Sequence, residues 1–175
     1  MRTATEMLTR YAACRRDQRN ILSHFVGVPM IVMAVGVLLS RPALVFDGLA
    51  VTPAWIAFVL ACAWYLTRGN LALGLAVSAT VGVLMLIAHR LGAVGMGAWL
   101  AWGVGLLVVG WAIQLAGHWY EGRKPASVDD LDGLLVGPMF VVAEALFMLG
   151  WNKPLAEAIE QRVGPTVLRD AAKIA

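Results

Sequence analysis

The stretch that decides the fold is an uncharged run of 27 residues at 91–117, LGAVGMGAWLAWGVGLLVVGWAIQLAG. A bilayer hydrocarbon core about 30 Å thick is crossed by roughly 20 apolar residues in a helix. The run is therefore longer than one membrane span requires. The glycines at its start, Gly92, Gly95 and Gly97, predict a loop, so we expect the helix to begin near Ala98.

Four further apolar segments accompany this run, at residues 21–39, 48–67, 71–88 and 131–151. Backbone N–H and C=O groups cannot stay unpaired in hydrocarbon, and the period-2 alternation of a membrane β-barrel is absent from these segments. We therefore predict an all-α fold, a polytopic membrane bundle of four to five hydrophobic helices. A single membrane domain is expected to cover residues 1–175.

The composition supports a membrane protein and excludes two other classes. Hydrophobic residues make up 60% of the chain and charged residues only 14%, against roughly 25% charged in soluble domains. A water-soluble globular protein is excluded, because a chain of 175 residues has too little interior to bury that much apolar surface. A nucleic-acid partner is excluded because the long uncharged runs leave no dense basic face.

The distribution of Lys and Arg predicts the orientation. If the first four segments span and the fifth is re-entrant or lies against the bundle, 12 of the 14 basic residues fall on one side. With five spans the division becomes 8 against 6. The bias favours four spans, with a basic N-terminal segment at 1–20 and an amphipathic tail at 152–175 both in the cytoplasm.

Polar residues gather in two clusters at the ends of predicted spans. They are Asp17, Asn20 and His24 at the start of the first span, and Gln114, His118 and Glu121 at the end of the fourth. These spacings place each cluster on one helix face. On the four-span topology both clusters lie at the cytoplasmic side, so they can meet.

Such clusters suggest a metal site. Two or three imidazoles with one carboxylate bind Fe²⁺ and leave coordination positions open for O₂ and a substrate. The candidate ligands are the three histidines of the chain, His24, His89 and His118. Glu121 is a candidate fourth ligand or catalytic group, and Asn20 and Gln114 are candidates to orient the histidines. His89 is harder to place, because the third span should end opposite His24.

Structural roles remain open for the same residues. A histidine within a membrane often forms a hydrogen bond between helices, and Glu121 can pair with Arg123 or Lys124. Three arginines precede the first span, namely Arg15, Arg16 and Arg19. They either set the topology or bind the carboxylate of a substrate or an acidic lipid headgroup.

Two stretches together resemble a known family. They are YAACRRDQRNILSHFVGVP at 11–29 and GWAIQLAGHWYEGRKPA at 110–126. They are similar to the membrane family typified by the yeast endoplasmic-reticulum 2-hydroxy fatty acid dioxygenase of phytosphingosine breakdown. The resemblance covers most of the chain.

The resemblance implies an Fe²⁺-dependent dioxygenase that shortens 2-hydroxy fatty acids by one carbon through α-oxidation. His24, His118 and His89 correspond by position to family histidines. The partners that the resemblance implies are a membrane, which we expect to be a bacterial inner membrane, and a lipid-like substrate. A homo-oligomer is compatible with both. One departure is Arg15, which stands where the family usually has a histidine.

Two other hypotheses therefore remain. One is a non-catalytic membrane scaffold or lipid-binding relative, which Arg15 favours. The other is a small transporter with a proton path through Glu121, Glu144 and the histidines.

Overall fold

The structure is a computed structural model that describes residues 2–41, 43–46, 49–122 and 132–168. Within these residues there are seven helices and two short strands. In chain order they are α1 (Ala4–Ala13), α2 (Gln18–Leu39), β1 (Leu44–Phe46), β2 (Leu49–Val51), α3 (Pro53–Leu66), α4 (Leu71–Gly92), α5 (Met96–Glu121), α6 (Asp132–Met148) and α7 (Lys153–Val163). The strands pair as an antiparallel hairpin between α2 and α3. The predicted all-α bundle is confirmed.

In the part of the chain that the structure describes, three helices are long and apolar enough to cross a membrane: α2 and α4 with 22 residues each, and α5 with 26. A fourth crossing exists if α6 and α7, which are bent by 115° at a short break, count as one broken span. The same bend fits a re-entrant segment, as the charge distribution predicts. The expected span at 48–67 is shorter than predicted, because its helix α3 has 14 residues and is about 21 Å long.

The connection between α4 and α5 is also shorter than predicted. α4 continues through Gly92, and α5 begins at Met96 after the N-cap Gly95. Of the glycine-rich loop expected at 92–97, residues 93–95 form the connection, and both ends of the segment are helical. Gly92 is required inside the helix because a Cβ there would collide with the Ser40 side chain at the end of α2.

The helices α2 and α5 pack closely and antiparallel through glycines spaced seven residues apart. A Cβ at Gly103 would meet Leu38, one at Gly110 would lie 3.0 Å from the Gly27 carbonyl oxygen, and one at Gly117 would meet Ser23. Small residues let helix backbones approach in a membrane, where packing drives association. The pairing sets the start of α2 beside the end of α5; we call this end of the bundle the site end.

A matched pair of substitutions on α5 tests this packing. Gly110→Ala is expected to destabilise the protein by about 1–3 kcal/mol, because its Cβ meets backbone that cannot move aside. Gly105→Ala, where nothing lies within 4 Å of the new Cβ, should be neutral or slightly stabilising. Thermal unfolding in detergent measures both, and equal shifts would contradict close packing at Gly110.

The helices α1 and α6 enclose the site end. α1 begins with a capping box between Thr3 and Glu6, and it buries the face that includes Leu8 and Tyr11. Phe140 of α6 packs against the Tyr11 ring at 5.1 Å between centroids. The predicted N-terminal segment 1–20 therefore contains a packed helix, which the charge analysis did not anticipate.

Candidate functional site

His24 of α2 and His118 of α5 meet at the site end. Their ring centroids lie 5.3 Å apart with the rings nearly perpendicular, and their exposed fractions are 0% and 6%. The antiparallel packing of α2 on α5 brings them to one depth. The sequence prediction that the two polar clusters meet is confirmed for this pair.

Both ring nitrogens of His24 have hydrogen-bond partners. Nδ1 lies 2.8 Å from the carbonyl oxygen of Asn20, and Nε2 accepts a hydrogen bond of 2.9 Å from Nε of Arg15. A guanidinium can only donate, so His24 is neutral with its proton on Nδ1. Asn20, the residue predicted to orient a histidine, contacts His24 through its backbone carbonyl rather than its side-chain amide.

Arg15 is a fully buried cation in the loop between α1 and α2. Its Nη1 donates to the carbonyl oxygen of Tyr11 at 2.9 Å, and its Cζ lies 3.4 Å from the centroid of the Tyr11 ring. Nη2 is buried with no hydrogen-bond partner among the described residues. Burial lowers the pKa of Arg15, while Tyr11, Cys14 and Glu121 oppose that shift. Burial likewise raises the pKa of Tyr11, against the effect of the Arg15 charge.

His118 has an unused nitrogen. Its Nδ1 is buried and has no hydrogen-bond partner within the described part of the chain. Burying a polar atom without a partner costs free energy unless a ligand or water satisfies it. An unsatisfied imidazole nitrogen and an unsatisfied guanidinium N–H therefore occur in the same buried cluster.

Glu121 joins the end of α5 to the start of α2. Its Oε2 accepts hydrogen bonds from the backbone N–H groups of Arg16 at 2.9 Å and Asp17 at 2.8 Å, and from Nδ2 of Asn20 at 3.2 Å. A carboxylate is favoured here because N–H groups converge at the N-terminus of α2. These contacts make Glu121 an interhelical clasp.

The other two arginines proposed for substrate binding have protein partners. Arg16 donates to Oγ1 of Thr166 at 2.6 Å. Arg19 pairs with Asp17 at 2.9 Å and lies over the Tyr120 ring. Of the three, Arg15 is the one that touches His24.

Two other residues predicted for the site, His89 and Gln114, have different neighbours from His24 and His118. His89 is exposed on α4, with its ring 6.1 Å from that of Trp55. α4 ends beside Ser40, some 16 residues along α2 from His24, which is about 24 Å in a helix. This placement does not support His89 as a ligand shared with His24 and His118. Gln114 is half-buried and packs against Gly27 rather than against a histidine.

The sequence reasoning missed Tyr11, Phe140 and Thr166. Tyr11 could have been found, because Ala4, Leu8 and Tyr11 follow a helical spacing behind the Thr3–Glu6 capping box. Phe140 and Thr166 carry no local signal, since they reach the site only through the folding of the chain.

The sequence of this chain matches a known protein family. Residues 1–149 match the family model described as 2-hydroxy-palmitic acid dioxygenase Mpo1-like. The chain belongs to the Mpo1-like family. No curated protein and no solved structure matches it. The Mpo1-like description suggests a function like that of a 2-hydroxy fatty acid dioxygenase.

The Fe²⁺ that the family resemblance implies does not fit the side chains as they stand. Nε2 of His24, the nitrogen that would face an ion, already accepts the Arg15 hydrogen bond. A metal–nitrogen bond of about 2 Å cannot form there until the guanidinium leaves. Within the described residues, no group of three or more His, Cys, Asp or Glu side chains could hold a metal ion. In this chain the Mpo1-like site carries an arginine cation at that nitrogen.

Proposed function

We propose that this protein binds 2-hydroxy fatty acids at Arg15 and His118, and that it does so without a metal. The observation that carries the proposal is the buried pair of unsatisfied groups, Nη2 of Arg15 and Nδ1 of His118. The family description, which names a 2-hydroxy-palmitic acid dioxygenase, supports the ligand class. The proposal thus keeps the family's ligand and gives the site a different chemistry.

The carboxylate of the ligand is assigned to Arg15. A guanidinium binds a carboxylate with charge-assisted hydrogen bonds, and Nη2 of the buried Arg15 has no hydrogen-bond partner among the described residues. Burying an N–H donor without an acceptor costs free energy. The carboxylate of a ligand would supply the missing acceptor.

The 2-hydroxyl group is assigned to His118. An imidazole nitrogen without a partner can accept a hydrogen bond from a hydroxyl or donate one to it. The ring of His118 contacts that of His24, and Arg15 bonds His24, so both recognition groups adjoin the same residue. A 2-hydroxy acid offers a carboxylate to one group and a hydroxyl to the other.

The acyl chain has an apolar cavity available deeper in the bundle. A cavity of about 150 Å³ lies among α2, α3, α4 and α6 and is lined by residues such as Ile31, Phe58 and Pro138. Ile31 follows His24 by two helical turns, or about 10 Å along α2. A fatty acid held by its head at Arg15 would extend its chain toward this cavity.

The proposed orientation places the site end in the cytoplasm. The backbone of Arg68 accepts a hydrogen bond from Ala4 at the start of α1, so this arginine lies with the N-terminal basic residues. Arg41 lies over Trp99 at the other end, where α4 also ends with Arg90. The excess of basic residues at the site end supports a cytoplasmic location, with the ligand's head near the level of the lipid headgroups.

Calorimetric titration of the detergent-solubilised protein, with a chelator present, tests the proposal. 2-Hydroxypalmitate is expected to bind about tenfold more tightly than palmitate, because one hydrogen bond is gained. Arg15→Gln should weaken binding of both acids by about 10- to 100-fold, since a charge-assisted contact is lost. His118→Ala should remove only the preference for the 2-hydroxy acid.

Arg10→Gln is the matched control, because Arg10 is exposed on α1. This variant should bind both acids as the unmodified protein does. Equal binding by Arg15→Gln and Arg10→Gln would contradict the carboxylate assignment. Equal Kd values for 2-hydroxypalmitate and palmitate would contradict the hydroxyl assignment.

Oxidation of the bound acid is the second candidate function. The convergence of His24 and His118 favours it, as does the dioxygenase in the family description. It requires Arg15 to leave His24 before any metal can bind. Oxygen consumption that depends on both 2-hydroxypalmitate and added Fe²⁺ would support this candidate over simple binding.

A further inference from the structure

A short C-terminal segment is bonded to the loop that carries Arg15. The N–H of Val167 donates to the carbonyl oxygen of Arg16 at 2.8 Å, and the N–H of Gln18 donates to the carbonyl oxygen of Val167 at 2.9 Å. Asp17 and Val167 thus form an isolated parallel bridge. The side chain of Arg16 adds a third bond, to Thr166. We call residues 164–168 the C-terminal latch.

The latch is anchored by α7. Leu155 and Ile159 of α7 are buried and belong to the same core cluster as Met7 and Leu8 of α1. After α7 the chain turns at Gly164, whose φ of +86° suits glycine. Helix α7 and the latch lie beyond residues 1–149, which match the family. The latch is therefore a feature of this chain outside the matched region.

The latch holds the loop by few contacts compared with the core beneath it. Among the residues described up to Leu168, three hydrogen bonds join the latch to the loop and the start of α2, and the Val167 side chain is 41% exposed. Segments with few buried contacts open locally at far lower cost than the whole domain unfolds. Arg15 itself is fully buried, so a ligand needs such an opening to reach it.

We propose that Thr166 and Val167 are positioning residues whose bonds, together with those of Glu121, hold the loop that carries Arg15 in its closed position, and that release of the latch lets this loop open to admit the ligand. Closure of the loop is inferred from the hydrogen bonds alone, whereas its effect on ligand access rests on the proposed function. Loop closure and ligand access are therefore measured in separate experiments.

Labelling of Cys14 measures the closure. Cys14 lies next to Arg15 and is partly buried, so a maleimide should reach it faster when the loop opens. In a Cys62→Ala background, Val167→Pro removes the N–H donor to Arg16 and should raise the labelling rate about tenfold. Thr166→Ala should raise the rate by a smaller factor, and Thr166→Ser, which keeps the hydroxyl, should label at the original rate.

Leu168→Ala is the matched control, because this side chain is 68% exposed and lies in the same segment. Circular dichroism confirms that each variant is folded. Equal Cys14 labelling in folded Val167→Pro and Leu168→Ala would overturn the closure.

Stopped-flow association of 2-hydroxypalmitate measures access. Val167→Pro should bind faster than the Leu168→Ala control. If Cys14 labels faster in Val167→Pro but 2-hydroxypalmitate associates with this variant at the same rate as with Leu168→Ala, the gating role is overturned. If 2-hydroxypalmitate fails to bind any variant, the proposed function fails while the labelling result still decides the closure.

Discussion

Replacing Arg15 with histidine is expected to give a protein that binds a divalent metal nearly stoichiometrically. The substitution removes the guanidinium that bonds Nε2 of His24. It also adds an imidazole at a position whose present side chain bonds His24. His24 in turn contacts the ring of His118, so the new imidazole would join this pair of histidines. Metal affinity should rise on the order of 100-fold or more, since the loss of even an outer-shell partner costs 10- to 100-fold.

The second reason for a large effect is charge. A guanidinium and a dication repel each other strongly in a buried site, where the effective dielectric constant is far below that of water. Arg15→His removes this repulsion. His24 is already oriented for ligation, because its Nδ1–H points to the backbone carbonyl of Asn20, as the second nitrogen of a ligating histidine usually does.

Metal analysis after anaerobic incubation with Fe²⁺ or Co²⁺ and desalting measures this gain, and the absorption bands of Co²⁺ report its ligands. Arg15→Ala is the control, since it removes the guanidinium without adding a ligand. The unmodified protein is expected to retain little metal. Stoichiometric iron in the unmodified protein, or equal metal in the Arg15→His and Arg15→Ala variants, would show that Arg15 does not exclude the ion.

The sequence predicted the helical bundle and the meeting of its two polar clusters, because both follow from local periodicity. Apolar runs long enough to span a bilayer indicate helices, and residues spaced by three, four and seven share a helix face. The antiparallel approach of His24 and His118 then needs only an even number of crossings between α2 and α5. The glycines at 103, 110 and 117 were a further signal of that pairing.

The partners of the charged residues could not be predicted in the same way. Arg15 lies in a loop, where no periodicity gives the direction of its side chain, and it bonds a histidine instead of remaining open to solvent. Thr166 is 150 positions from its partner Arg16. Contacts of this kind depend on the tertiary fold, so a run of arginines before a span does not reveal their partners.

Glu121→Ala is expected to destabilise the protein by about 3–5 kcal/mol. The Glu121 carboxylate is fully buried and accepts N–H groups from the backbone of Arg16 and Asp17 and from the side chain of Asn20. Its removal leaves buried donors without an acceptor, and each one costs about 1–3 kcal/mol. Chemical unfolding in detergent micelles measures the change, with the exposed Glu157 of α7 replaced by alanine as the control.

Glu121→Gln separates the clasp from a catalytic or ligating role. Glutamine keeps an acceptor oxygen for the N–H groups but loses the charge, so its cost should be smaller than that of alanine, about 1–2 kcal/mol. Since Glu121 holds the loop through backbone donors and is not the group assigned to the ligand, Glu121→Gln should keep the Kd for 2-hydroxypalmitate within about twofold. A variant of unchanged stability that no longer binds the acid would instead place Glu121 in direct contact with the ligand.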